Sequence, residues 1–215
     1  MAVEAKICGL TRPEDAVHAV RSGAAYLGVI FAGGPREVSP RQAAEVVRAA
    51  ESVPVLGVFA GRGVDEILRL RDASGLAGAQ LHSGYDAAEA GRLRDEGLMV
   101  WRVARIAAEP VEAELRGLAD TADVVLLEPS VERALGGTGT ALPVDLAARA
   151  RRMIGVLSRV ALAGGLTPDT VAETVALVQP DIVDVSSGVE ISPGIKDPQR
   201  VTRFLEAVVG HFPAT

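Results

Sequence analysis

Residues 3–16 read VEAKICGLTRPEDA, a short apolar run that breaks at a glycine. After the glycine, Thr11 and Glu14 have the three-residue spacing of a capping box, which marks the start of a helix. A strand that passes through a short loop into a helix is one βα unit. The stretch therefore predicts such a unit at the start of the chain.

The same pattern recurs along the chain, and we interpret eight apolar runs as strands. A second helix start is predicted at Thr167-Pro168-Asp169, just after one of these runs. Near-continuous apolar strands that alternate with helices are typical of a parallel sheet covered by helices. Eight units without an intervening linker favour a closed (β/α)₈ TIM barrel, a single domain over residues 1–215, rather than an open doubly wound sheet. The runs are VEAKIC (3–8), YLGVIF (26–31), VPVLGVF (53–59), GAQLH (78–82), LMVWRVA (98–104), DVVLLE (123–128), RVALAG (159–164) and DIVDVS (181–186).

The composition excludes several classes of function. A net charge of −6 with scattered Lys and Arg argues against a nucleic-acid groove, and no apolar run approaches the roughly 20 residues that span a bilayer. The single cysteine forbids an internal disulfide and, with an N-terminus unlike a secretory signal, predicts a cytoplasmic protein. Three histidines and one cysteine without ligand spacing predict that the protein has no metal site. The sequence leaves open whether the chain is a monomer or a homodimer.

Two residues at predicted strand ends are candidates for proton transfer, because the chemistry of a TIM barrel lies where its strands end. Cys8 ends the first strand. It is either a small buried hydrophobe or a base, which would need a pKa lowered from about 8.5 by a nearby cation, and its position at the rim favours the base. Glu128 ends the sixth strand and is either a cap or a general acid, which would need a raised pKa.

Further polar residues near strand ends predict how a ligand is bound. Arg36, in a loop shaped by glycine and proline, suits bidentate binding of a carboxylate. Arg102 lies inside an apolar strand, so a buried ion pair or the site itself must satisfy its charge. Asp184, in the eighth strand, is expected to point into the barrel or to pair with a cation at the rim, whereas His82 is more typical of a structural histidine.

The loops after the seventh and eighth strands predict a phosphate site. They carry AGG (163–165) and SSG (186–188), and glycine loops at these two positions of a TIM barrel commonly bind phosphate. The GGTG run at 136–139 lacks the rest of a P-loop pattern and predicts only a loop near the barrel mouth.

Five segments together resemble the phosphoribosylanthranilate isomerase family of tryptophan biosynthesis, and the resemblance runs nearly end to end. It implies a cofactor-free Amadori rearrangement of a small phosphoribosyl substrate, with Cys8 as the general base that deprotonates ribose C2′ and Glu128 as the general acid that opens the ring. It further implies that Arg36 binds the anthranilate carboxylate and that Asp184 orients groups or balances charge. The phosphate ligands that the resemblance implies are Gly164, Gly165, Ser187 and Gly188. The segments are KICGLTRPEDA (6–16), QLH (80–82), GGTGT (136–140), LAGGLTPDTV (162–171) and VDVSSGVEISPGIKD (183–197).

The chain departs from the family pattern around the predicted acid. The family ends its sixth strand in LLD, whereas this chain has Leu126-Leu127-Glu128. The residues after GGTG also differ, and the loop after the second strand lacks the family's serine before Pro-Arg. A displacement of a catalytic group on the order of 1 Å can reduce the rate of the reaction roughly a hundredfold. Three hypotheses therefore stay open: this isomerase with a re-seated acid, an isomerase of a related phosphosugar amine, and a phosphometabolite-binding barrel without catalysis.

Overall fold

Eight strands lie where the apolar runs predicted them, in a computed structural model that describes residues 2–82, 84–130 and 141–210. The GGTG run lies outside these residues. Strand ends differ from the predicted ones by at most two residues, and the fifth strand continues past its predicted end to Ile106. The strands β1–β8 are Glu4–Ile7, Tyr26–Ile30, Val55–Phe59, Gly78–Leu81, Met99–Ile106, Val124–Pro129, Arg159–Leu162 and Ile182–Val185.

The strands form one closed parallel barrel in sequence order. Each strand pairs with the next, and β8 closes the barrel by pairing with β1, where Glu4 is opposite Ile182 and Ile7 is opposite Val185. The predicted (β/α)₈ TIM barrel is therefore confirmed. Parallel order brings all eight C-terminal strand ends to one rim, which places the predicted site residues together.

Within the described residues, eight helices alternate with the strands and cover the barrel. A short antiparallel hairpin, β9 (Glu190–Ser192) and β10 (Ile195–Lys196), follows a 3₁₀ turn at Ser187–Val189 and precedes the last helix. None of the described helices is long and apolar enough to cross a membrane. The helices α1–α8 are Pro13–Arg21, Pro40–Ala49, Val64–Ser74, Ala87–Asp95, Glu112–Ala119, Val144–Ile154, Val171–Val178 and Pro198–Val209.

Both predicted helix starts are wrong, by one residue for the first helix and by three residues for the seventh. The hydroxyl of Thr11 donates to the carbonyl of Gly194 at 2.6 Å instead of capping α1, which begins at Pro13 without a side-chain cap. Helix α7 begins only at Val171, because the Thr167 hydroxyl is hydrogen-bonded to that of Thr170, at 3.0 Å, in the preceding turn. Capping spacing predicts a helix start only where no other acceptor or donor competes for the hydroxyl.

Side chains alternate between the barrel interior and the helix layer. The lower interior is apolar, with Trp101 packed edge-to-face on Tyr26 at 5.2 Å between ring centres. Arg102 points the opposite way and donates to the Thr121 hydroxyl and the Tyr85 carbonyl at 2.7 and 2.6 Å. Burial lowers its pKa. The prediction that an ion pair or the site satisfies Arg102 is wrong, because neutral oxygens between barrel and helices do so.

Candidate active site

Cys8 lies at the C-terminal end of β1, one inward position above Lys6. Its side chain is buried, with the residue 6% exposed. Gly28 on the neighbouring strand leaves the space that the thiol fills, since a Cβ there would lie 2.8 Å from Cys8 Sγ and 3.0 Å from Lys6 Cε. Gly9 then turns the chain with φ of +73°, a conformation that favours glycine. The thiol is thus held at the rim against a buried ammonium group.

Lys6 is fully buried and is the centre of a polar cluster beneath the rim. Its Nζ donates to Gln80 Oε1 at 2.8 Å and to both carboxylate oxygens of Asp184 at 3.1 and 3.2 Å, and it lies 5.4 Å from the Trp101 ring centre. Burial alone would lower the pKa of Lys6, but Asp184 and Cys8 raise it overall. Asp184 points into the barrel as expected, although its cation partner lies inside the barrel rather than at the rim.

The cation predicted beside Cys8 is present, but it does not dominate the titration of the thiol. Burial raises the pKa of Cys8 more than Lys6 lowers it, and Lys196 also lowers it without reversing the result. The lowered pKa that a base would need is therefore not found for Cys8. Cys8 rests as a neutral thiol with a lysine in place to stabilise its thiolate.

Glu128 lies at the same rim, at the end of β6, between a histidine and an arginine. Its Oε1 is 3.0 Å from Arg105 Nε and 3.4 Å from His82 Nδ1. Burial would raise the pKa of Glu128, but His82 and Arg105 together lower it below its ordinary value. The raised pKa that a general acid would need is therefore not found here, because the two partners outweigh desolvation. Glu128 rests as a carboxylate.

Arg105 is one of the site residues that sequence reasoning missed. The fifth strand was expected to end at residue 104, whereas it continues to Ile106 and so includes Arg105. Strand alternation then places Trp101, Val103 and Arg105 on the inner face. Counting in steps of two from Trp101 would have found it.

Hydrogen bonding indicates which ring nitrogen of His82 carries the proton. Because Gln80 Oε1 accepts from Lys6, the Gln80 amide nitrogen faces His82 Nε2, at 3.3 Å. An amide nitrogen only donates, so Nε2 accepts and the ring proton is on Nδ1, on the side of Glu128. Nδ1 makes no aligned hydrogen bond to any described residue. The buried Nδ1–H of His82 thus points toward Glu128 without forming an aligned hydrogen bond to it.

Arg36 is held by a protein carboxylate. Its Nε and Nη2 donate to Glu190 at 2.7 to 3.1 Å, and Lys196 donates to the same carboxylate at 2.8 Å. Burial would raise the pKa of Glu190, but Arg36 and Lys196 lower it. The side-on edge of the Arg36 guanidinium is therefore occupied, and its opposite edge is what remains for a substrate carboxylate. Neither Glu190 nor Lys196 was a predicted site residue.

The loops after β7 and β8 meet at the rim. Gly164 and Gly165 have φ of +98° and +64°, and a Cβ on Gly188 would lie 1.9 Å from the carbonyl oxygen of Leu166. The second loop continues through Ser187 in the 3₁₀ turn. The structure thus brings the four predicted phosphate ligands into two adjacent glycine loops, whose contact requires glycine at position 188.

Comparison with known proteins identifies the family. The model of the N-(5'-phosphoribosyl)anthranilate (PRA) isomerase family matches residues 5–207. The isomerase of that name from Citrifermentans bemidjiense is 41% identical over 203 residues, 93% of this chain and 94% of the relative. That from Pseudomonas fluorescens Pf-5 is 38% identical, with 96% of each chain covered.

Solved structures agree with this family. The phosphoribosyl anthranilate isomerase of Thermotoga maritima superposes with a TM-score of 0.84 at 29% identity, covering 97% of this chain and 99% of that one. Another such isomerase was solved with reduced 1-(o-carboxyphenylamino)-1-deoxyribulose 5-phosphate, with a TM-score of 0.82 at 28% identity and the same coverage. The chain therefore belongs to the N-(5'-phosphoribosyl)anthranilate isomerase family, and it is an isomerase with the TIM-barrel fold.

Proposed function

We propose that this chain isomerises N-(5'-phosphoribosyl)anthranilate to 1-(2-carboxyphenylamino)-1-deoxyribulose 5-phosphate, with Cys8 as general base and Glu128 as general acid. The order of the barrel supports this most directly. Strands β7 and β8, which carry the glycine loops, lie between β6 with Glu128 and β1 with Cys8. A ribose whose phosphate binds those loops is within reach of an acid on one side and a base on the other.

The two proton transfers conserve atoms and need no redox partner. Glu128 gives a proton to the ring oxygen, and the C1′–O bond breaks as the amine becomes an iminium. Cys8 then takes the proton from C2′, and the resulting enolamine tautomerises to the ketone. In our proposal Lys6, held by Asp184, stabilises the thiolate, and the open edge of Arg36 binds the anthranilate carboxylate.

The resting protonation states are the reverse of those that the reaction uses. Cys8 rests as a thiol and Glu128 as a carboxylate, whereas turnover needs a thiolate and a carboxylic acid. The two forms contain the same number of protons, so the reactive one is a fixed fraction of the enzyme at every pH between the two pKa values. Glu128 must therefore either gain its proton after the substrate has bound, or react from the minor form in which it is already protonated.

Cys8→Ala and Glu128→Gln test the assignment. We expect each substitution to reduce kcat by about 10²- to 10⁴-fold, the usual contribution of a general acid or base. Loss of phosphoribosylanthranilate fluorescence measures turnover, and calorimetry with the reduced product analogue measures binding, which Cys8→Ala should retain. Arg69→Ala, an exposed position on α3, is the control. Full activity in either purified variant would reject the residue roles.

The Glu128–Arg105 pair also favours a second candidate, the isomerisation of a related phosphosugar amine. A longer acid paired with an arginine is a changed environment at the reacting ring. Rescue of a tryptophan auxotroph that lacks this isomerase would count against the alternative, whereas a faster Glu128→Asp variant would favour it. Measurable turnover of any such substrate excludes a purely binding role. We further propose that the chain acts as one barrel domain in the cytoplasm, as a monomer or a homodimer.

A further inference from the structure

Ser186 lies at the rim beside the candidate base. Lys6 of β1 is the register partner of Asp184 of β8. Two residues further along both strands, the same register brings Cys8 beside Ser186, at the spacing of neighbouring strands, about 4.8 Å. The Cys8 amide continues this ladder, since it donates to the Val185 carbonyl at 2.8 Å. A thiol and a hydroxyl therefore lie side by side above a buried ion pair.

The hydroxyl of Ser186 is not used by the fold. Its Oγ is buried, and no atom of the described residues makes a hydrogen bond with it. The backbone of the same residue is held, because its carbonyl accepts from Lys196 Nζ at 3.1 Å and from the Val189 amide at 3.4 Å. Buried hydroxyls are nearly always hydrogen-bonded, since an unpaired one costs stability. Alanine would fill the same space, so the hydroxyl indicates a partner that the fold itself does not supply.

The Ser186 hydroxyl lies on the β1 side of its loop. A Cβ built on Gly9, the residue after Cys8, would lie 2.8 Å from Ser186 Oγ and 2.8 Å from Arg36 Cδ. The loop after β8 meets the Leu166 carbonyl on its other side, toward β7. The hydroxyl is therefore close to the candidate base and to the stem of the carboxylate-binding arginine, and it faces away from the contact between the two glycine loops.

The ribose 2′-hydroxyl is the substrate group that matches this position. In the proposed reaction Cys8 removes the hydrogen of C2′, and the same carbon has the 2′-hydroxyl as its other substituent. Serine and ribose hydroxyls can each donate and accept, so either can be the donor. Two side chains one strand spacing apart can then meet the two substituents of one carbon. Holding the hydroxyl fixes the direction of the C2′–H bond, and such alignment is a large part of what an enzyme supplies to a proton transfer.

We propose that Ser186 binds the 2′-hydroxyl of the ribose through its otherwise unpaired Oγ and thereby turns the C2′ hydrogen toward Cys8. Ser186 is then a substrate-binding residue that positions the reacting carbon. This inference rests on the proposed function and names the sugar group through which the substrate is aligned on the base.

A binding cycle of two ligands and two enzymes tests the proposal. One ligand is the reduced product analogue, whose carbon 2 has a hydroxyl in place of the ketone, and the other is the same compound without that hydroxyl. The enzymes are the wild type and Ser186→Ala. We expect loss of the ligand hydroxyl to raise Kd of the wild type about three- to tenfold, the value of one neutral hydrogen bond. In Ser186→Ala the same loss should change Kd by less than about twofold. Calorimetry measures all four values.

Ser187→Ala is the matched control, because it removes the next hydroxyl along the same loop. Ser187 is one of the proposed phosphate ligands, and both compounds have the phosphate. Any change in Kd should therefore be the same for the two ligands, and the effect of the ligand hydroxyl should stay as large as in the wild type. Ser186→Ala should fold normally, with a melting temperature that does not fall, because the hydroxyl it removes makes no hydrogen bond to any described residue.

Turnover gives a second readout. Substrate deuterated at C2′ measures how far removal of the C2′ hydrogen limits kcat. We expect Ser186→Ala to lower kcat on the order of tenfold, with an isotope effect at least as large as that of the wild type, because a misaligned C2′ hydrogen is removed more slowly. A purely structural defect that slowed product release would make the isotope effect smaller.

Equal effects of the ligand hydroxyl on Kd in the wild type and Ser186→Ala would overturn the proposal while the isomerase assignment stands. If those effects are equal and the kcat/KM limb of Cys8 moves to a different pH, the partner of Ser186 is the thiolate and not the sugar. If the wild type does not turn over phosphoribosylanthranilate, the proposed function fails instead. The calorimetric cycle needs no turnover, so it still decides whether Ser186 contacts the hydroxyl of the ligand.

Discussion

Among single residues, His82 connects the Lys6 cluster with Glu128. Lys6 determines which way the Gln80 amide faces, that amide determines which His82 nitrogen has the proton, and the proton is directed at Glu128. The ammonium group of Lys6, below Cys8, thus determines that His82 presents an N–H group to Glu128. Because Nδ1 is 3.4 Å from Glu128 Oε1, a small shift of either side chain makes the hydrogen bond.

Two isosteric substitutions test this role of His82. Asn places its amide nitrogen near Nδ1 of the histidine it replaces, whereas Gln places its own near Nε2. We therefore expect His82→Asn to retain more kcat than His82→Gln, by roughly tenfold, the value of one charged hydrogen bond. Steady-state kinetics at neutral pH measure the difference, with equal melting temperatures as the control. Equal kcat values in the two variants would contradict the assigned tautomer.

Positions of proton-transfer residues could be predicted from the sequence, but their charge states could not. Cys8 and Glu128 end apolar runs, which is a local feature of the chain. The pKa of Glu128 depends on Arg105 and His82, which come from two other strands, and that of Cys8 depends on how deeply the thiol is buried. Such contacts across the barrel leave no signal in the spacing of residues along one strand.

Among the secondary-structure elements, the β9–β10 hairpin is attached to the rim by ion pairs of Glu190. Glu190 in β9 accepts from Arg36 in the loop after β2 and from Lys196 in β10, and Lys196 also donates to the Ser186 carbonyl at 3.1 Å. The Gly194 amide in the hairpin turn donates to Glu190 as well, at 3.2 Å. One buried carboxylate therefore joins the hairpin to the second βα loop, and its ionisation controls both.

This arrangement predicts an acid-dependent loss of stability. The pKa of Glu190 in the folded protein is below its ordinary value of 4.5, so its contribution is complete above that pH and is lost as pH falls through the folded pKa. The free energy of unfolding of the wild type should fall more steeply below pH 4.5 than that of Glu190→Gln. Urea unfolding across this range measures it.

Glu206→Gln, at an exposed position on α8, is the matched control and should follow the wild type. At neutral pH Glu190→Gln should be less stable than the wild type by about 3–5 kcal/mol, because Lys196 is left buried with its partner removed. A variant with the acid dependence of the wild type would show that another carboxylate is responsible.

In the molecule as a whole, the Lys6–Asp184 ion pair inside the barrel stabilises the arrangement of distant strands. Lys6 on β1 binds Asp184 on β8 and Gln80 on β4, above the Trp101 ring on β5. Strands β1 and β8 are neighbours on one side of the barrel, and β4 and β5 are neighbours on the opposite side, so one ammonium group joins the two sides through the interior. The polar cluster separates the apolar lower interior from the rim where the candidate chemistry lies.

Lys6→Met tests the energetic importance of this cluster. The substitution leaves Asp184 buried without its cation, so we expect the free energy of unfolding to fall by about 3–5 kcal/mol. The double variant Lys6→Met/Asp184→Leu removes both charges and should recover most of the loss. Equilibrium urea unfolding of the three proteins measures both values. A single variant as stable as the wild type would show that the pair adds nothing to stability.

The whole fold was accessible to sequence reasoning because it depends on repetition. Eight near-continuous apolar runs predicted eight strands, and the absence of linkers predicted closure, both of which the structure confirms. Helix starts were less predictable, since the Thr11 hydroxyl has an acceptor in the distant hairpin. The buried cluster around Lys6 was missed because each polar residue interrupts a different strand, and only the closed barrel brings them together.

Gly28 has a consequence for how this base could be transferred to another barrel. Its missing side chain is what allows the Cys8 sulfur and the Lys6 amine to share one space. A designer who copied the cysteine and the lysine alone would obtain two groups kept apart by whatever side chain the host has on its second strand. The minimal transferable unit is therefore two side chains and one void, and the void must be copied first.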